Sequence, residues 1–301
     1  MSTEYYSDKT RLSSSGIKHI LKSPAHYQHY LLNGIEVTEA MNHGQFIHTA
    51  TMEESEINNR FRLLADPRLE PNKEGKIEFR SALNKSIRDE FINQCEADGI
   101  TPIIKKDDWD EIMGTAGSVR KSPIYQQLFS DAEVEKEFHW IDPEFGIPMK
   151  GKLDLFKVLS GKDSTGNKFK YGLIADVKKL PDIDVESIRK YIKDSNRLIH
   201  TQLAIYNEAV QECLGLETRY NIVIGCHKET QMNGFFLVPK ESPEFVSVWQ
   251  DYSISAGRII YTKAKQIYKD CLDKFGNPWE DGVKWPGVEY FASNEFGLVE
   301  L

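Results

Sequence analysis

The pattern of apolar and polar positions changes character near residue 130. Before that point the apolar residues fall in amphipathic, charge-rich stretches that predict helices. Residues 12–33 (LSSSGIKHILKSPAHYQHYLLN) predict a short helix capped by one of Ser13–Ser15, then a Ser-Pro start to a second helix. Residues 43–53 (HGQFIHTATME) predict another, and residues 77–98 and 107–129 two more, so the first 130 residues are expected to be mainly α.

Beyond that point the period shortens. Glu133–Trp140 alternates and predicts a strand, and Asp142-Pro143-Glu144-Phe145-Gly146 supplies turn chemistry. Met149–Leu159 predicts a second strand, the Gly/Ser/Asp/Asn-rich 160–168 a hairpin connection, and Tyr171–Lys178 a third strand. A long helix is expected over 184–213, ended by Gly215. Arg219–His227 and Phe235–Val238 predict two further strands with a turn at Gly234, residues 241–274 a helix, and 275–301 an irregular tail. The expected class is α+β: a small mixed sheet flanked by helices, with a largely α-helical N-terminal part. The expected organisation is one domain over 1–301, with a helical part at 1–130, a core at 131–275 and a tail at 276–301.

With 40% hydrophobic and 28% charged residues, the 301-residue chain can bury a sizeable core, which excludes wholesale disorder. No run approaches the ~18 apolar residues of a membrane span. The start, Met-Ser-Thr-Glu-Tyr-Tyr-Ser-Asp, lacks the basic-then-apolar pattern of a signal peptide. A soluble cytoplasmic protein with no membrane partner is expected. Cys95, Cys213, Cys226 and Cys271 are scattered without a CxxC pair, which argues against zinc and iron–sulfur sites and predicts buried free thiols.

A formal net charge of −8 argues against a DNA-binding protein, but the uneven distribution softens that objection. Residues 150–197 hold twelve Lys/Arg against seven Asp/Glu. That basic stretch brackets the most informative side chains in the chain, as local phosphate contacts would require; a solvated surface is the plain alternative.

Those side chains are Asp154, in Gly-Lys-Leu-Asp-Leu-Phe, and Asp176 and Lys178, in Ile-Ala-Asp-Val-Lys-Lys. On a strand, positions 176 and 178 share a face, while Val177 turns into the core and offers the site only its backbone carbonyl. Two carboxylates and a carbonyl are hard ligands suited to Mg²⁺, and a neighbouring lysine can orient or deprotonate a water, or steady charge on a phosphate. The plain alternative is a structural ion pair, Asp154–Lys178 or Asp176–Lys152.

Further positions could join the site. Glu135 and Glu137 share one face of the first strand with His139, and either could reach a metal. Gln202 and Tyr206, four apart, share a helix face, whereas His200 lies about 160° away from Gln202 on the helical wheel. His48 sits in a small, apolar helical stretch; if it faced the metal, its imidazole would suit Mn²⁺ alongside Mg²⁺.

Taken in order, Gly44-x-x-x-His48, a Glu-bearing strand, Gly151-x-x-Asp154, Asp176-x-Lys178 and Gln202-x-x-x-Tyr206 resemble the RecB-like branch of the PD-(D/E)-x-K nuclease superfamily. Within that branch the opening Leu-Ser-Ser-Ser-Gly-Ile-Lys-His-Ile, Ser-Pro-Ala-His-Tyr and His-Gly-Gln-Phe-Ile-His-Thr-Ala are similar to the RecE-type exodeoxyribonucleases, the exonuclease VIII group. The resemblance spans roughly residues 12–265, and the second acid is Asp176 where Glu is commoner.

It implies a PD-(D/E)-x-K core in which His48, Asp154, Asp176 and the Val177 carbonyl bind Mg²⁺ or Mn²⁺. Lys178 becomes the catalytic lysine, Glu135 an acid near the metal, and Gln202 and Tyr206 supports for the site and the scissile strand. The implied activity is Mg²⁺-dependent 5′-to-3′ digestion of linear double-stranded DNA ends, leaving 3′ overhangs for recombination. The implied setting is a bacterial or phage-infected cell, with a homo-oligomeric ring (trimer or tetramer) and a single-strand annealing protein as partner. A 5′-phosphate pocket is expected around Arg11, Ser13 and Ser15, where cation, hydroxyls and a helix start coincide. Rival readings are a catalytically silent DNA-end-binding or assembly protein on the same scaffold, and a structure-specific endonuclease.

Overall fold

Two apolar clusters, one on each face of a five-stranded sheet, organise the molecule. The computed structural model describes residues 3–227, 232–242 and 250–290. The N-terminal part runs α1 (Thr3–Ser7), α2 (Ser14–Ile20), α3 (Pro24–Asn33), α4 (Glu39–Met52) and α5 (Ile57–Arg60). It continues through β1 (Phe61–Leu63), α6 (Ala82–Asp98), β2 (Thr101–Ile103), α7 (Lys106–Lys121) and α8 (Pro123–Phe129). The sheet and its helices follow as β3 (Glu133–Ile141), β4 (Pro148–Lys162), β5 (Lys168–Leu180), α9 (Val185–Lys193), α10 (Ile199–Leu214), β6 (Thr218–His227), β7 (Asn233–Leu237) and α11 (Ile254–Phe275).

The helix starts follow their capping residues. The Ser13 hydroxyl accepts the Gly16 N–H at 3.2 Å and starts α2, and Ser23 does the same for His26 ahead of Pro24 in α3. Strand order is β3-β4-β5-β6-β7, antiparallel except for the parallel β5–β6 pair, as expected of a mixed sheet in an α+β protein. Helices α2, α3, α9, α10 and α11 cover one face, and α4, α7 and α8 the other. The N-terminal helices are therefore divided between both faces of the sheet rather than gathered into a layer of their own.

Two buried networks set the helices against the sheet. Lys265 of α11 is 2% exposed and contacts Asp142, after β3, and Glu208 of α10 at 3.1 Å. Glu208 also accepts Tyr261 O–H at 2.7 Å and Trp140 Nε1–H at 3.0 Å. With every member partnered, the charges are tolerated at depth. On the opposite face Arg120 of α7 contacts the Ala50 carbonyl, and Tyr125 of α8 donates to the Thr51 carbonyl at 2.7 Å. The segment from α7 to α8 thereby clamps the C-terminal end of α4.

Several element boundaries differ from the sequence expectation. The 184–213 helix is two helices, interrupted where Asp194 Oδ1 accepts the Asn196 N–H at 2.9 Å and Leu198 takes a left-handed φ of 48°. The 107–129 helix breaks at Ser122-Pro123, since the proline ring disfavours helix continuation at the preceding residue. Residues 77–81 precede α6 rather than belong to it. Positions 160–162 and 168 extend β4 and β5, so the connection narrows to a turn in which Asp163 Oδ1 accepts the Thr165 and Asn167 N–H groups. Gly234 lies within β7 rather than at a turn, and α11 begins only at Ile254. Residues 243–249 and 291–301, which fall in the expected helix and tail, lie outside the described residues. Parallel strands β1 and β2 were not anticipated, and Cys213 is exposed where a buried thiol was expected.

Candidate active site

At Glu135 and Asp154 the sheet departs from regular pleating. On β4, Leu153 packs in one apolar cluster and Leu155, two residues on, in the other. On β3, Phe138 and Trp140 pack with Leu153, while Val134 packs with Leu155. Residues two apart on a strand ordinarily share a face, so both strands change phase at this level. The pairs Val134↔Leu155 and Lys136↔Leu153 place Glu135 opposite Asp154, and Glu135 has a left-handed φ of 54°. On its other side the β4–β5 ladder ends at Leu155↔Ala175, one step before Asp154 would face Asp176. The strands splay there, and the Val177 N–H donates to Asp154 Oδ2 at 2.9 Å.

Around this break lies a cleft of about 550 Å³. It is lined by Gly44, His48, Glu135, Asp154, Val177, Lys178, Gln202 and Tyr206, together with Lys18, Arg60 and Lys152. His48 comes from α4, where Gly44, one turn earlier, leaves the cleft wall open because nothing lies within 4 Å of where its Cβ would stand. His48 Nε2 is 3.1 Å from Asp154 Oδ1 and 3.2 Å from Glu135 Oε1. Asp176 is fully buried, with Lys178 Nζ 2.6 Å from its Oδ2 and Gln202 Nε2 donating to its Oδ1 at 3.1 Å. Gln202 also donates to the Tyr206 hydroxyl at 2.8 Å.

The ion pair that forms is Asp176–Lys178; Lys152 binds Glu135 rather than Asp176. The left-handed turn at Glu135 aims that side chain at His48, so Glu135 and not Glu137 enters the cleft. Val177 buries its side chain as expected, and its N–H donates to the site through Asp154. His200 points away, its Nδ1 2.9 Å from the Ile192 carbonyl. Ser15 lines the cleft, whereas Arg11 and Ser13 line an adjoining pocket, with Arg11 on Asp8 at 3.1 Å and the Ser13 hydroxyl committed to its cap.

The electrostatics follow from burial and crowding. Burial alone would lower the His48 pKa, but the carboxylates of Asp154 and Glu135 outweigh it and hold the imidazole up to about 9. Burial pushes Asp154 up, yet His48, Lys178 and the Val177 N–H together carry it below its ordinary value. For Asp176 burial wins, aided by Asp154 and opposed by Lys178, and its pKa is raised. Burial works against the charged form of Lys178, but Asp176 and Asp154 prevail, so it remains an ammonium.

This set fits a divalent cation of the Mg²⁺ or Mn²⁺ type. Buried Asp176 Oδ2 makes no well-directed hydrogen bond despite its close lysine, and Asp154 presents its Oδ1 beside an imidazole nitrogen. The His48 proton occupies ground that a cation would take. His48, Glu53 and Glu135 also bring ligand atoms within 4.8 Å of one another, although Arg60 grips Glu53 at 2.7 and 2.8 Å. Glu53, Arg60 and Lys18 were not singled out from the sequence, and Lys152 was named only as an ion-pair partner of Asp176. Lys152, two residues before Asp154 on a basic strand, carried the clearest signal.

Residues 13–238 match the family model described as a PDDEXK-like domain of unknown function (DUF3799). The match covers three quarters of the chain and includes every residue from His48 to Tyr206 discussed above, so the chain belongs to that family. No curated protein matches the sequence.

Proposed function

We propose, from the chain's place in the PDDEXK-like family and the geometry of its cleft, that it is a divalent-metal-dependent phosphodiester hydrolase acting on DNA. The observation that carries this reading is the convergence of His48, Glu135, Asp154 and Lys178, from four separate elements, on one cleft, with buried Asp176 held 2.6 Å from Lys178. His48, Asp154 and Asp176 would hold Mg²⁺ or Mn²⁺, with Glu135 close by. When bound, the cation supplies charge to the phosphate and makes water a better nucleophile at neutral pH.

The chain's own groups define the rest. Lys178 is held protonated, so it acts as a hydrogen-bond donor that steadies the attacking water and the charge growing on the phosphate, rather than as a base. Gln202 fixes the Asp176 carboxylate by its Oδ1 and leaves Oδ2 facing Lys178. The Tyr206 phenol, whose pKa burial drives well above its ordinary value, remains a neutral partner that accepts the second Gln202 N–H.

The finer reading is a RecE-type exonuclease that resects the 5′-ended strand of linear duplex DNA, working as a ring beside an annealing protein. The ordered motifs support it, including the Gln202-x-x-x-Tyr206 pair that meets Asp176. The test is incubation of linear duplex, labelled at either its 5′ or its 3′ ends, and of circular duplex, with Mg²⁺ or EDTA. Mg²⁺-dependent loss of the 5′ label from linear duplex alone is the expected result. Equal cleavage of circles would replace the exonuclease with an endonuclease. Binding without any product would support the silent end-binding reading, which gains some weight from the ion pairs already closing the site.

A further inference from the structure

Among the described residues five Lys or Arg side chains line the cleft, and four of them are already committed to carboxylates. Arg60 holds Glu53, Lys152 holds Glu135, Lys178 lies 2.6 Å from Asp176, and Lys179 lies 2.9 Å from Glu111. The fifth is Lys18 of α2. Among the described residues no carboxylate oxygen lies within the 4.0 Å of an ion pair from its Nζ. It is half-buried nonetheless, and near enough to Asp176 and Lys178 to feel both charges.

A lysine drawn out of water beside another lysine is disfavoured unless an anion arrives. Burial, followed by the charge of Lys178, lowers its pKa to about 8, which leaves most of it charged at neutral pH. Its surroundings suit an anion with several oxygens. Ser14 and Ser15 stand four and three residues earlier on the same helix, on the same side, and line the same cleft. The same cleft carries the acidic residues, which repel an anion unless a cation covers them.

We infer that Lys18 is a substrate-binding residue that contacts a backbone phosphate of the nucleic-acid strand lying in the cleft, on the α2 side of the metal site. The inference rests on the hydrolase reading for the kind of substrate, but not on cleavage itself. Ser14 and Ser15 offer hydroxyls to the same phosphate or its neighbour.

The test compares wild type, Lys18→Met and Lys18→Arg in two assays: binding of a linear 30-bp duplex with Ca²⁺ in place of Mg²⁺ across a salt series, and digestion of the same duplex with Mg²⁺. One phosphate contact contributes about one unit of slope between log affinity and log salt. Lys18→Met is expected to weaken binding about tenfold at low salt and to reduce that slope by about one, with KM rising in step; Lys18→Arg restores the slope. A Lys18→Met protein with wild-type slope and KM overturns the inference and leaves the hydrolase reading standing. If no form digests the duplex but the slope change appears, Lys18 keeps its role and the hydrolase reading falls. A wild-type protein that does not bind the duplex at all overturns both.

Discussion

Glu135 stands opposite Asp154 across the β3–β4 pair, and it reaches His48 only by adopting a left-handed backbone conformation. A non-glycine residue there costs roughly 1 kcal/mol or more, and such strain tends to gather where function demands it. Two truncations separate the backbone cost from the carboxylate. Both Glu135→Gly and Glu135→Ala lose the contacts to His48 and Lys152, but only glycine relieves the backbone. Urea denaturation should find the glycine variant more stable by about 1 kcal/mol, with cleavage impaired alike in both. Equal stabilities would mean that the φ of 54° carries no strain.

Asp176→Asn removes a buried carboxylate whose charged form is disfavoured, while keeping its shape and its bond to Gln202. It should therefore fold with a melting temperature close to wild type. Cleavage should fall on the order of a thousandfold, the loss typical of a group that organises charge in the transition state. Digestion at more than a tenth of the wild-type rate would remove Asp176 from the site.

The metal-free protein should lose stability as pH rises from 6.5 through about 9, because His48 binds its proton more tightly folded than unfolded. A raised folded pKa means the contribution is complete below 6.5 and gone above about 9. At 1.36 kcal/mol per pKa unit it amounts to about 3 kcal/mol. Asp176, also raised, acts in the same sense at lower pH, whereas lowered Asp154 supports the fold above its ordinary carboxylate range and loses that support in acid. Thermal melts in EDTA should show the decline, and His48→Gln should flatten it. Added Mg²⁺ or Mn²⁺ should stabilise more as pH rises, since the cation and the proton compete for His48.

Gly257 of α11 lies against the first turn of α10, where an added Cβ would fall 2.4 Å from the His200 carbonyl oxygen and 2.7 Å from the Thr201 nitrogen. Neither backbone atom can yield as a side chain could. Gly257→Ala should wedge the helices apart, cost about 1–3 kcal/mol, and displace Gln202, which follows directly in sequence. Circular dichroism melts give the stability. A turnover loss larger than unfolding accounts for would show that the wedge reaches the Asp176 carboxylate.

Much of the site was legible in the sequence because its members obey the periods of their elements. Asp176 and Lys178 meet because the strand alternates, and Gln202 meets Tyr206 because four residues make about one helical turn. The five motifs could be ordered from sequence, but nothing local showed that α4 would carry His48 across to β3 and β4. Choosing Glu135 over Glu137 needed a backbone torsion that alternation does not predict. The break at Leu198 did leave a trace in Asp194-Ser195-Asn196, whose side chains compete with the helix for backbone groups. Three-residue β1 and β2 are too short for any period to show. Lys18 stayed hidden because what distinguishes it is the lack of an ion-pair partner among the described residues, and partners are a property of the folded chain.

The bond from the Val177 N–H to Asp154 turns one backbone proton into a witness to the site. A carboxylate that holds an amide at 2.9 Å deshields it more than a peptide carbonyl does, and its charge sets how strongly. The Val177 amide resonance should therefore move when Asp154 exchanges its His48 partner for a cation. Its solvent exchange would report how firmly the splayed end of the sheet is closed. Occupancy of the cleft could be followed from that one nucleus, with no substrate present and no bond cut.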